Sequence, residues 1–185
     1  FGAGCDSLSG YRIFTYDLLS GALTASDVFS SFEELYYDPF ENGILFRDSN
    51  NLKRYSLDNS SITTIGTFPN KMAGYYGNQH QAYDFVHQQL FYNYLDETES
   101  FHYMLFDLST GTVISDTNLG VFPLPAPSML VHDDGNNSYY GIVYGDVLLV
   151  NPLTFNNTHI ATIPDLGSML NNEMAMFDHL KGHYI

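Results

Sequence analysis

Arg12-Ile-Phe-Thr-Tyr-Asp-Leu-Leu-Ser-Gly21 reads as a β-strand running into a turn signature, and the chain repeats the pattern three more times. Leu52-Lys-Arg-Tyr-Ser-Leu-Asp-Asn-Ser60 is the second copy and His102-Tyr-Met-Leu-Phe-Asp-Leu-Ser-Thr-Gly111 the third. Val147-Leu-Leu-Val-Asn-Pro-Leu-Thr-Phe-Asn156 is the fourth. Anchored on Tyr16, Tyr55, Phe106 and Val150, the copies are 39, 51 and 44 residues apart, and counting on from Val150 round to Tyr16 gives 51. The closing gap resembles the others, as it must if four units form a ring. A fixed period of this size is the signature of a repeat architecture.

A second pattern runs in phase with the first. Glu34-Leu-Tyr-Tyr-Asp38 precedes Gly43-Ile-Leu-Phe-Arg47, and Ala82-Tyr-Asp84 precedes Leu90-Phe-Tyr-Asn-Tyr94. Met129-Leu-Val-His132 precedes Tyr139-Tyr-Gly-Ile-Val-Tyr144, and Met174-Ala-Met-Phe-Asp178 precedes His183-Tyr-Ile185. Each is a short strand, a polar turn and another strand. A further strand follows each copy of the opening motif: Leu23-Thr-Ala25, Ser61-Ile-Thr-Thr-Ile65, Thr112-Val-Ile-Ser115 and His159-Ile-Ala-Thr-Ile163. The unit is therefore four strands, A to D, in roughly 46 residues, close to a propeller repeat.

The chain resembles the β-propellers over nearly its whole length. Ile44-Leu-Phe-Arg-Asp-Ser-Asn-Asn-Leu-Lys-Arg-Tyr-Ser-Leu-Asp58 is similar to a blade of the YWTD or NHL kind, although the YWTD tetrapeptide is absent. No subfamily's binding residues carry over. The expected fold is all-β: one domain over 1–185, a four-bladed β-propeller of four-stranded antiparallel blades. The blades span about 32–67, 80–119, 128–166 and 172–185, the last completed by 10–29, so that the termini share one blade. A β-sandwich or barrel of many short strands gives similar turn spacing, but the in-phase repeat favours the propeller. A piece of a larger ring is the other alternative.

Composition agrees with a packed β domain. Apolar residues make up 44%, and 15 Tyr and 14 Phe stand without any Trp, a bias towards pleated, half-buried surfaces. Six Lys and Arg against 21 Asp and Glu leave a formal charge of -15, which disfavours nucleic acid and anionic membrane surfaces. No run is apolar and long enough for insertion into a bilayer. A start at Phe1, without a signal peptide, is expected of a processed or trimmed chain.

Three sequons place candidate glycosylation at Asn59, Asn136 and Asn156, which points to an extracellular or cell-surface protein carrying N-linked glycans. Asn59 and Asn156 fall in C–D turns and Asn136 in an A–B turn. In a propeller those turns share one face, so glycans would leave the opposite face to partners. The sole cysteine, Cys5, can pair only between molecules. Long loops of the opposite face supply the candidate interaction residues Tyr75, Tyr76, His80 and Phe122.

Catalytic motifs for hydrolases, nucleotide binding and zinc proteases are missing from the sequence. His179 and His183 bracket a turn between strands, and Asp133-Asp134-Gly135-Asn136 reads as a turn before it reads as a calcium loop. Asp17, Asp107, Asp38, Asp84 and Asp178 recur at equivalent turn positions, a structural signature. No catalytic residue, metal or cofactor is expected, and no enzyme. The expectation is a surface module that works by contact with other protein chains. Self-assembly into a filament by strand exchange at the split blade is included. A carbohydrate-binding lectin and a glycoside hydrolase or lyase with its site at the channel mouth are the alternatives.

Overall fold

A computed structural model describes residues 2–6, 10–27, 33–68, 81–121, 127–154, 156–163, 177–178 and 183–184. Every regular element among them is a β-strand. They group into two compact units, Phe1–Pro69 and Asn70–Ile185.

The first unit holds a three-stranded sheet, β1 (Gly2–Asp6), β2 (Gly10–Tyr16) and β3 (Leu23–Ala25), and a four-stranded one, β4 (Glu33–Asp38), β5 (Gly43–Asp48), β6 (Asn51–Ser56) and β7 (Ile62–Thr67). The second unit holds β8 (Gln81–Asp84), β9 (Gln89–Leu95), β10 (Ser100–Asp107) and β11 (Thr112–Val121), then β12 (Ser128–Asp133), β13 (Ser138–Val143), β14 (Asp146–Val150) and β15 (Asn157–Thr162). A short pair, β16 (Phe177–Asp178) and β17 (His183–Tyr184), follows. Each four-stranded sheet is an antiparallel meander in chain order, the blade unit that the repeat implies.

The hairpins explain the repeat. Asp38 pairs with Gly43, Asp84 with Gln89, Asp133 with Ser138 and Asp178 with His183, so all four A–B turns have one length. Asn42, Gln88 and Asn137 each take a positive φ as the turn rejoins the strand, the left-handed step that four-residue loops need. The aspartates close the turns with their side chains: Asp38 Oδ1 accepts the Phe40 amide at 3.1 Å, Asp84 Oδ1 that of His87 at 2.9 Å, and Asp133 Oδ1 that of Gly135 at 2.9 Å. In the C–D turns Asp17, Asp107 and Asn151 do the same for the amides two and three residues on. These amide bonds hold the Asp17 carboxyl below its ordinary pKa. At Asp107 the Ser109 hydroxyl is the larger cause. Gly43 answers a different need, since a Cβ there would lie 2.9 Å from Arg54 Cγ and 3.0 Å from the Tyr55 carbonyl.

Burial runs across each blade. Strand β5 is buried at every position, whereas the outer strand β15 is exposed at every position. A continuous apolar run on the inner strand and polar threonines on the outer one follow from that gradient. Two cores result. Ile13 of β2 packs with Ile44, Phe46 and Tyr55 in the first unit. Ala82, Phe91, Tyr103 and Leu105 pack with Leu130, Tyr139 and Val150 in the second, where Phe91 meets Tyr103 and Tyr139 edge-on with centroids 5.2 Å away.

One strand departs from expectation. Gly2–Asp6 pairs along β2 from Gly2↔Phe14 to Asp6↔Gly10, with β3 on the other side. The edge of β2 kept for the C-terminal strand is therefore occupied, and among the described residues β16 and β17 pair only with each other. Small residues made Gly2-Ala-Gly-Cys5 unreadable as a strand; backbone pairing with a β-rich neighbour supplies what propensity does not.

Candidate functional site

The A–B turns of the second unit converge on one carboxylate. Strands β8 and β12 pack together, which brings the end of each, and the turn after it, to the same place. Asp84 closes β8, is 1% exposed, and uses Oδ2 as a hub. His87 Nδ1 lies 2.8 Å from that oxygen, His132 Nε2 3.5 Å, and the Tyr139 hydroxyl donates to it over 3.5 Å. His132 is buried just before Asp133 at the end of β12, with Nδ1 2.7 Å from Asp134 Oδ1 and Nε2 3.2 Å from Asn137 Oδ1. The Tyr139 ring lies against His132, centroids 4.6 Å apart. Burial, then the Asp84 charge, pushes the Tyr139 phenol far above its ordinary pKa, so Tyr139 stays a donor.

A cleft of about 320 Å³ opens beside the hub, with Asp84, His87, Asn137 and Tyr139 on its polar side and Leu105, Leu149 and Leu153 on its apolar side. One ligand atom each from Asp84, His132 and Asp134 lie within 4.8 Å of one another, which makes them the group among the described residues suited to a cation. The contrast with the first unit is chemical. There the equivalent Asp38 gives its Oδ2 to Arg54, at 2.9 Å from Nε and 2.8 Å from Nη2. Register puts Leu105 where Arg54 stands, because Gly43 pairs with Ser56 and Gln89 with Asp107. A buried carboxylate needs polar partners; at Asp84 a tyrosine hydroxyl and two imidazoles stand in place of the guanidinium.

A second histidine clamp stands at the other end of the β8–β11 sheet. His102 Nδ1 is 2.9 Å from Asp116 and Nε2 3.2 Å from Asp96, and the ring stacks on Tyr94 with centroids 4.8 Å apart. The Tyr94 hydroxyl donates to Asp116 at 2.8 Å. All four groups use one another, and Asp96 also accepts from the Thr98 hydroxyl and the Thr98 and Ser100 amides, which holds its carboxyl down to about 2. This is a brace for the β9–β10 turn.

Among the residues singled out in the sequence, Asn59 is exposed in the β6–β7 turn with Oδ1 accepting the Ser61 amide at 3.0 Å. Asn136 is exposed in the β12–β13 turn and donates to the Tyr140 hydroxyl at 3.1 Å, and Asn156 is exposed in the β14–β15 turn. Asn136 and Asn156 thus lie at one end of one sheet. Cys5 lies in β1, opposite Tyr11. Tyr75, Tyr76, His80 and Phe122 lie outside the described residues, as does His179. The 133–136 stretch forms a turn, with Asp134 drawn to His132. Sequence reasoning passed over His87 and His132, which belong to no motif and stand 45 residues apart in the chain. The signal was the phase of the repeat, which sets Asp84 and Asp133 at matching ends of successive A strands.

No protein-family model matches the sequence, and no curated protein matches it. Solved structures do. The chain aligns with a chain of a nidogen/laminin complex at TM-score 0.62 and 14% identity, covering 95% of this chain and 65% of that one. It aligns with the extracellular domain of a putative one-component system of B. thetaiotaomicron at TM-score 0.57 and 19% identity, covering 96% of this chain and 23% of that one. A gluconolactonase of Xanthomonas campestris aligns at TM-score 0.54 and 14% identity, covering 97% of this chain and 66% of that one. This chain therefore spans less than two thirds of each neighbour's length. The likeness is one of fold, and that fold is the all-β, four-stranded-blade architecture of the β-propellers.

Proposed function

We propose that the chain is a β-propeller module that works outside the cell by contact with other protein chains, itself included, and does not turn over a substrate. The hairpin from β2 to β3 carries this reading. Leu18 is 88% exposed and Leu19 fully so, with Tyr16 and Leu23 also exposed on the same hairpin. The turn cannot fold these leucines back, because Asp17 Oδ1 accepts the Leu19 and Ser20 amides at 2.8 and 2.9 Å and Gly21, at φ +71°, closes it onto the Asp17 carbonyl. Fully burying a leucine is worth roughly 1.5–3 kcal/mol, so a partner that covers the tip gains a few kcal/mol on an already rigid surface. The nidogen/laminin structure is a complex between proteins, which supports contact as a use of such blades. The extracellular setting draws on the same neighbour, on the bacterial extracellular domain and on the three exposed sequons.

Sedimentation velocity over a concentration series tests the contact, with Leu18→Ser/Leu19→Ser as the control. Association of the wild-type chain that the double variant loses is the expected result. A wild-type chain that stays monomeric at the highest concentration, or cleavage of a polysaccharide or lactone that His87→Ala abolishes, would overturn the reading. Glycans at Asn59, Asn136 and Asn156 belong to it as well. Secreted protein should lose mass on treatment with peptide N-glycosidase, and an unchanged mass would remove that part. Strand exchange at β2 now has a cost, since an incoming strand must displace Gly2–Asp6.

A further inference from the structure

The cleft beside Asp84 coincides with two places where the second unit departs from the first. Register puts Leu105 where Arg54 stands. It also puts Leu153 where Asp58 stands, because Gly43 pairs with Ser56 and Tyr139 with Val150. In the first unit Asp58 Oδ1 accepts from Asn42 Nδ2 at 2.5 Å and so ties the two turns of its blade. Asn137 is the counterpart of Asn42, each being the last residue of an A–B turn, and a leucine offers it no acceptor. Asn137 Oδ1 lies 3.2 Å from His132 Nε2. The amino group of that amide has no partner among the described residues.

Asn151 makes a related change. Asp17 and Asp107 hold their C–D turns through Oδ1, and Asn151 holds its own in the same way, accepting the Leu153 and Thr154 amides at 2.9 Å. The side-chain amide keeps the turn, carries no charge and adds an Nδ2 donor to the cleft lining. Gln89 adds another amide without a partner among the described residues. His87 is engaged through Nδ1, 2.8 Å from Asp84 Oδ2, and its Nε2 is free among the described residues. Asp84 itself is already engaged: the Tyr139 hydroxyl donates to Oδ2 and the His87 amide to Oδ1. The groups on offer are therefore three amides and an imidazole nitrogen, beside an apolar wall of Leu105, Leu149 and Leu153.

Those groups narrow the ligand class. An amide both donates and accepts, and so does a hydroxyl, which makes hydroxyls its natural partners. A wholly apolar ligand would take water from the amides and leave them unpaired. The lining holds no Lys or Arg and a single carboxylate, Asp84, so an anion would meet repulsion and no counter-charge. A volume of about 320 Å³ is small for a ligand site and fits one ring better than a chain of them. We propose that the cleft binds one neutral sugar ring, with its hydroxyls on Asn137, Asn151, Gln89 and His87 and its C–H face on Leu149 and Leu153. The site uses no residue of the β2–β3 hairpin, so it adds a ligand to the protein contact and does not depend on it.

The test is saturation-transfer NMR on the full chain with the methyl glycosides of glucose, galactose, mannose and N-acetylglucosamine, and with methyl glucuronide as the anionic control. Transfer to at least one neutral glycoside and none to the glucuronide is the expected result, and a shift titration of the tightest binder gives its Kd. Asn151→Asp retains the Oδ1 that holds the turn, as Asp17 and Asp107 do, but loses the Nδ2 donor and brings in a charge. It should raise the Kd by about tenfold. Leu153→Asp gives Asn137 the acceptor that Asn42 has in Asp58, at a position 58% exposed, and should raise the Kd by about tenfold or more. Urea midpoints close to wild type establish that both variants remain folded. Absence of transfer to every neutral glycoside overturns the proposal, and so does equal binding of the glucuronide. An unchanged Kd in either folded variant overturns it too, because the sugar then sits elsewhere.

Discussion

Replacing Arg54 by leucine would give the β4–β7 blade the residue that the β8–β11 blade has at Leu105, without the histidines that accompany it there. Asp38 is 1% exposed, and its Oδ2 accepts from Arg54 Nε at 2.9 Å and Nη2 at 2.8 Å. Its other oxygen is already committed to the Phe40 and Glu41 amides. Leucine removes two charge-assisted bonds, each worth about 1.5–3 kcal/mol, and takes the guanidinium away from a buried carboxylate. Loss of one partner from a buried pair costs about 3–5 kcal/mol, and that is the expected loss for Arg54→Leu. Urea unfolding followed by tyrosine fluorescence measures it. At an m-value of roughly 2 kcal/mol/M, the midpoint should fall by about 1.5–2.5 M. Arg54→Leu combined with Asp38→Asn should recover part of the loss, because the buried charge is gone while an Oδ1 remains for the Phe40 amide. A single variant within about 1 kcal/mol of wild type, or a double variant no better than the single, would refute the role given to the pair.

Phe91→Ala empties the centre of the second core, where the ring is fully buried between Tyr103 and Tyr139. A loss of about 3–5 kcal/mol in denaturant unfolding is expected. Gly43→Ala drives a Cβ into Arg54 and the Tyr55 carbonyl and should cost about 1–3 kcal/mol by the same measurement. Asp96 has a folded pKa of about 2 against 3.8 for the free group. Its stabilising contribution is therefore complete above pH 4 and lost as the pH falls towards 2. Unfolding midpoints from pH 5 to 2 should drop more steeply for wild type than for Asp96→Asn, and parallel curves would remove Asp96 from the account.

The blades were legible because their turns are chemical. Asp17, Asp38, Asp84 and Asp107 announce hairpins through bonds to their own following amides, and that local device needs no partner from elsewhere in the chain. Strand β5 was legible for another reason: Ile44-Leu-Phe46 has to be buried on both faces. Strand β1 was not, since Gly2, Ala3 and Gly4 carry no pattern and the pairing with β2 supplies the order. The Asp84 site was half legible. Its residues stood in the aligned repeat, but the substitution that gives the site its chemistry, Leu105 for Arg54, is visible only once strand register is known. The exposed Leu18 and Leu19 went unremarked because turn signatures draw the eye to Asp17 and Gly21.

The shared length of the A–B turns has an engineering consequence. Residues 39–42, 85–88 and 134–137 each span the same register, from an aspartate to the first residue of the next strand. Such segments are cassettes. The stretch 134–137 can be transplanted into 39–42 without sliding either strand by one residue, and a slide of one would turn every side chain to the wrong side. Divergence in one blade's turn therefore leaves the strand register of the other blades untouched, even where two turns share their chemistry, as at Asp84 and His132.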